Sequence, residues 1–79
     1  MSHSPHELHE EFPEFAARIT QLKTSDHHFA HLADAYHEIN RSVHRMECGI
    51  EAVADQVLED FKKRRLALKD EISTRLARD

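Results

Sequence analysis

Residues that turn or stiffen a backbone are scarce in this chain, which has one glycine, two prolines, no tryptophan and a single cysteine in 79 residues. Sheet proteins need frequent turn residues and more β-branched side chains, so a β-fold is excluded and long helices remain. Cys48 has no second cysteine to pair with, which excludes a disulfide scaffold. No stretch approaches the roughly 18 consecutive apolar residues of a membrane span, and no basic leader precedes an apolar run at the N-terminus. The expected location is therefore the cytoplasm, with no membrane contact. Nucleophile motifs, phosphate loops and cofactor fingerprints are missing as well, so no cofactor and no enzymatic activity are expected. Two or three narrow helices also rarely enclose the water-excluding pocket that catalysis needs.

What is present is charge and one long apolar seam. Charged residues make up 33% of the chain, with a formal net charge of -4. Met1 to Gln56 carries ten acidic and four basic residues, whereas Val57 to Asp79 carries five and seven. This asymmetry suits complementary helices in an antiparallel hairpin better than it suits a polyanion binder, because the overall field repels nucleic acid. The seam is Phe29, Leu32, Tyr36, Ile39, Val43, Met46 and Ile50, spaced by alternating steps of three and four. Such spacing marks a helix that packs along its whole length. A chain this short obtains only about 3 to 5 kcal/mol from a single core, so a homo-oligomer, a dimer or higher, is expected to supply the rest.

Helix boundaries follow from capping chemistry. Ser4-Pro5-His6-Glu7 reads as a helix start, with Ser4 as N-cap, Pro5 in the first turn and Glu7 closing a capping box. The first helix is therefore expected over about residues 5–23, with the stripe Leu8, Phe12, Phe15, Ile19 and Leu22 and a kink or fresh start where Pro13 removes a hydrogen bond. Thr24-Ser25-Asp26 breaks the chain, and the second helix is expected over 26–48, closed by Gly49. Asp55 is the expected cap of a third helix over 55–77, whose inward face is Val57, Leu58, Phe61, Leu68, Ile72 and Leu76. Arg65 falls inside that stripe and is expected to snorkel to the rim or to a carboxylate on the facing helix. Leu66, about 100° beyond the stripe, points outward and marks a second packing surface.

Several of these residues also carry a family likeness. Glu11-Phe12-Pro13-Glu14-Phe15, Leu22-Lys23, His28-Phe29 with Leu32, Ile39 with His44-Arg45 and Glu47, and Lys62 to Glu71 (KKRRLALKDE) together resemble the YdcH-like family of small bacterial proteins. The likeness runs over nearly the whole chain, and its most specific part is the KK-x-R-L-x-L-K-D-E ending after the E-F-P-E opening. It implies a short helical, coiled-coil-like protein of unassigned function, with no catalytic residues to carry over. One departure is Ala54-Asp55, where many members have a serine before the acidic residue.

The eight histidines are the unusual feature of the composition. His27 and His31 lie four apart, with Asp34 and Glu38 continuing the strip, a spacing that can hold zinc or copper. Two imidazoles with flexible carboxylates fall short of a closed four-ligand site, so no metal site is expected. HELHE at His6 to Glu10 lacks one residue of the zinc-protease spacing and is rejected. His28 is expected to be hydrogen-bonded near the start of its helix, and Cys48 to be a helix-end residue. His37 and His44 share a face, and protonation there between about pH 7 and 6 would shift assembly if that face were an interface, which sedimentation across the range checks. Lys62-Lys63-Arg64-Arg65 with Lys69 could meet phosphates, but four consecutive helical residues point in four directions. Acid-before-base pairs Glu59 with Lys63, Asp60 with Arg64 and Glu71 with Arg75 favour a solvated face.

The sequence thus predicts a single all-α domain over 1–79, a short kinked N-terminal helix followed by a long antiparallel coiled-coil-like hairpin, with Phe29, Tyr36, Ile39, Val43, Phe61, Leu68 and Ile72 as the core. The expected role is a non-enzymatic interaction or assembly module working through helix packing on a copy of itself or an unidentified protein partner. Its candidate core and interface residues are Phe29, Leu32, Tyr36, Ile39, Val43, Met46, Val57, Phe61, Leu66, Leu68 and Ile72. The alternatives are weak nucleic-acid association through Lys62, Arg65 and Lys69, and metal binding through His27 and His31.

Overall fold

Each helix in this chain starts or stops at a residue whose chemistry forces the change. The structure, a computed structural model, describes residues 6–78; Ser4 and Pro5, read above as cap and first turn, lie outside them. The first helix, α1, is Leu8–Glu11. Its N-cap is Glu7, whose side chain and that of Glu10 form a reciprocal capping box. Glu7 is thus the cap itself. His6, just before this cap, is left-handed, with φ 64°.

Pro13 then ends α1, as its ring disfavours helical geometry in the preceding residue, and Phe12 sits at φ -131° and ψ 63°. A 3-10 turn over Pro13–Phe15 restarts the chain, and α2 follows as Ala16–Ser25. Asp26 separates α2 from α3, His27–Glu47. Its carboxylate accepts hydrogen bonds from the backbone N–H groups of His28 at 3.0 Å and Phe29 at 3.1 Å, two donors that have no partner inside the helix. At the far end Gly49 adopts φ 77° and closes a Schellman motif. Its N–H reaches the Met46 carbonyl at 3.3 Å, and the Ile50 N–H reaches that of Arg45 at 3.0 Å.

After a short connection α4 runs over Asp55–Ala77. Its N-cap is Ala54, which has no side chain able to cap, so Asp55 is the first helical residue and not the cap expected from the sequence. The long helices α3 and α4 pack against each other as a helical hairpin with no strands among the described residues. The molecule measures 40 × 27 × 20 Å, so its thin dimension is about two helix diameters.

The core lies at the open end of the hairpin, where α1 and α2 cross it. Leu8 and Ile19 from those segments join Phe29, Leu32, Ala33, Tyr36, Ile72 and Leu76, with Phe12, Phe15, Leu22 and Leu68 packed around them. Each large side chain buried there contributes about 1.5 to 3 kcal/mol before conformational entropy is counted. Towards the hairpin tip the cover stops. Val43 is buried there, but Ile39, Met46, Leu58 and Phe61 are only half-buried. Ile39, Phe61 and Leu68, expected to be fully in the core, are therefore at its margin. Val57, expected on the inward face, is 38% exposed because it sits in the first turn of α4, beyond the last turn of α3.

The two ends of the connection make a paired prediction. Gly49→Ala should lower stability by about 1 to 2 kcal/mol, since a Cβ there is strained by the left-handed backbone and meets no neighbour within 4 Å that could offset the strain. Ala54→Ser should raise it by about 1 kcal/mol by supplying the missing cap, and urea denaturation of both variants checks the opposite signs.

Candidate functional site

Two surfaces of the hairpin differ in chemistry, a polar clasp on one flank and an open apolar stripe on the other. The clasp is centred on Asn40, which is 1% exposed and the one buried polar side chain of the described residues. Its Nδ2 donates to Glu7 Oε1 at 3.0 Å, and its Oδ1 accepts from Arg65 Nη1 at 3.1 Å. One carboxamide thereby joins the cap of α1, the middle of α3 and the middle of α4. Arg65 does snorkel, but onto this amide and not onto the rim or a carboxylate.

Neighbouring bonds extend the clasp along α1. The Tyr36 hydroxyl donates to the His6 carbonyl at 2.6 Å, and burial pushes its pKa up to about 12, with the Glu11 charge acting in the same direction. His37 Nδ1 lies 3.1 Å from Glu7 Oε2, and His6 Nδ1 lies 3.2 Å from Glu11 Oε2. Lys69 Nζ pairs with the other oxygen of Glu11, and this hydrogen bond is the main reason the Glu11 carboxyl lies below its ordinary value of 4.5. Asp26 likewise lies below its ordinary 3.8, chiefly through the backbone N–H of Phe29.

Lys62, Arg65, Lys69 and Arg75 of α4 are engaged by groups outside that helix. Lys62 Nζ is 3.3 Å from Glu47 and 3.9 Å from Glu59, while Arg75 is 3.6 Å from Asp26. Glu71 faces His28 at 3.6 Å, Asp60 accepts from Gln56 Nε2 at 2.9 Å, and Arg64 stacks over the Phe61 ring at 5.4 Å. Of the same-helix pairs expected from spacing, Glu71 with Arg75 gives way to partners on other elements, while Glu59 with Lys63 and Asp60 with Arg64 give way to other neighbours on α4 itself, Lys62, Gln56 and the Phe61 ring. Lys62, Arg65 and Lys69, the cations of the nucleic-acid alternative, each meet an acceptor of another element. His27 and His31 are both exposed, and among the described residues no group of three or more His, Cys, Asp or Glu side chains is placed to hold a metal ion. Cys48 is exposed with its Sγ 3.6 Å from His44 Nε2, a pairing the sequence reading did not foresee although the two are four apart.

The sequence-predicted interface residues divide between core and open stripe. Phe29, Leu32, Tyr36, Val43 and Ile72 are buried, and Ile39, Met46, Phe61 and Leu68 are half-buried. Val57 and Leu66 are exposed, at 38% and 58%, and Ile50 at the tip is 74% exposed. Leu66 borders a cleft of about 210 Å³ between Tyr36, Arg65 and Lys69 on the clasp flank. Val57, Phe61 and Leu68 recur at steps of four and seven and so form a stripe on the other flank of α4, which adjoins the core at Leu68.

The clasp generates two predictions. Asn40→Leu should cost about 1 to 3 kcal/mol by leaving the Glu7 and Arg65 groups without their amide partner, and adding Arg65→Met should recover part of that loss in chemical denaturation. The lowered values of Glu11 and Asp26 mean that the stability they contribute is fully present above pH 4.5 and is lost as pH falls through their folded-state values. Glu11→Gln should therefore flatten the acid limb of a stability-versus-pH curve below pH 4.5.

A family described as "Protein of unknown function (DUF465)", which includes the YdcH-like proteins, has a model that matches residues 29–76. The match runs from the third residue of α3 to the penultimate residue of α4, so the hairpin is the family's part of the fold and Glu11 to Phe15 lie outside it. No curated protein and no solved structure matches the chain.

Proposed function

We propose that this chain, which belongs to the DUF465 family, is a non-enzymatic assembly module of the bacterial cytoplasm that associates through the apolar stripe its own N-terminal segment leaves open. The observation that carries this reading is the uneven cover of the hairpin. Where α1 and α2 lie, Phe29, Tyr36, Ile72 and Leu76 are closed off from solvent. Where they do not, Ile39, Met46 and Phe61 stay half-open and Val57 and Ile50 are exposed. Apolar side chains recurring on one side of a two-helix layer gain by packing on a further helix, and the free energy comes from area removed from water. No helix among the described residues is long and apolar enough to cross a membrane, which agrees with a partner met in water.

The engagement of Lys62, Arg65 and Lys69 within the molecule argues against phosphate as the ligand, because a polyanion would have to displace Glu47, Asn40 and Glu11. Sedimentation equilibrium distinguishes the two readings. Assembly through apolar packing predicts a mass at least twice the 9.2 kDa of the chain that changes little with salt. A chain that stays monomeric at every concentration, and gains mass only with added nucleic acid at low salt, would contradict it.

A further inference from the structure

Resting on that assembly reading, we infer that the occupant of the open stripe is a second copy of this chain, docked with its α4 antiparallel to the first about a two-fold axis that passes between Phe61 and Arg64. On α4, Asp60 and Phe61 each lie three or four positions from both Val57 and Arg64, and Leu68 lies four beyond Arg64, so the five share one side of the helix. Val57 is exposed, Phe61 is half-buried, and Leu68 keeps one side open where it packs at the edge of the core, which leaves an apolar line with a charged pair in its middle. The pair is what identifies the occupant.

A two-fold interface must be complementary to itself, residue i meeting j while j meets i. Antiparallel packing centred between Phe61 and Arg64 sets Asp60 against Arg64 of the second copy, and Arg64 against its Asp60. The same register sets Val57 against Leu68 of the second copy and brings the two Phe61 rings together at the axis. A parallel arrangement would instead oppose Asp60 to Asp60 and Arg64 to Arg64, and like charges held in contact are repulsive. Neither member of the pair forms an ion pair among the described residues. Asp60 accepts from the Gln56 amide, and Arg64 lies over the Phe61 ring. By contrast Lys62, Lys69 and Arg75 each have a carboxylate partner within the chain. With 23 residues α4 is about 34 Å long, which leaves about two turns before the axis and about four after it for the contact. Leu66 faces the clasp flank and takes no part.

Charge reversal tests the register. Asp60→Arg and Arg64→Asp, each verified as folded by circular dichroism, should each weaken self-association about tenfold or more, because each opposes like charges twice across the axis. Mixing the two variants should restore association to the wild-type level, and so should the double variant Asp60→Arg/Arg64→Asp. Sedimentation velocity on the five samples, wild type included, reads all of this. Single variants that associate as the wild type does would overturn the α4 interface while leaving assembly intact. A wild type that is monomeric throughout, whatever other protein it captures, would overturn both.

Discussion

Two antiparallel helices can bury only the line along which they touch, and that limit governs this molecule. A helix of α3 or α4 length exposes apolar side chains on both sides of its contact line, and those need a third element to cover them. The chain supplies one for half the hairpin. Leu8 and Ile19 reach the core from α1 and α2, and the side chains beneath them, Phe29, Tyr36 and Ile72, are closed off. The other half, from Ile39 to the tip, is left with its stripe ajar. Burial, exposure and the proposed assembly all follow from where that cover ends.

What holds the cover in register is polar. An apolar segment as short as α1 could slide on the hairpin with little loss, because hydrophobic contact has no direction. The bonds from Asn40 to Glu7 and Arg65, and from Tyr36 to the His6 carbonyl, have direction, and they fit only one placement. A buried asparagine in a helical seam is a recognised means of setting register at some expense of stability. Here it ties three segments at one point, and the Lys69 to Glu11 pair repeats the tie about one turn away.

Much of this was legible in the residues. Steps of three and four marked α3 and its seam, Pro13 marked the restart, Asp26 the break, and Gly49 the reversal, because each acts through its own backbone or the next few residues. The capping residues were harder. Ser4-Pro5-His6-Glu7 matches a capping box as well as Glu7 to Glu10 does, and spacing alone gives no sign that Glu7 is itself the cap of α1. Asn40 was missed for a related reason. From Tyr36 to Val43 the seam can step through Ile39 or Asn40, and hydrophobicity selects the first while packing buries the second. The cross-helix ion pairs eluded a local reading, since Glu47 and Asp26 are brought to Lys62 and Arg75 only by the tertiary fold.

The likeness to the YdcH-like proteins, read from motifs at both ends of the chain, agrees with the family match over the hairpin and adds no chemistry to it. What the chain does is therefore argued from its own surfaces, and the decisive one is the outer side of α4. An isotope-filtered NOE experiment on a mixture of labelled and unlabelled chains looks at it directly. Val57 and Leu68 are eleven positions apart on one helix, about 16 Å, too far for a contact within the chain. The account predicts intermolecular contacts between the Val57 and Leu68 methyl groups and between the Phe61 rings. An associated protein whose intermolecular contacts cluster instead around Leu66, or one that shows none, would contradict it.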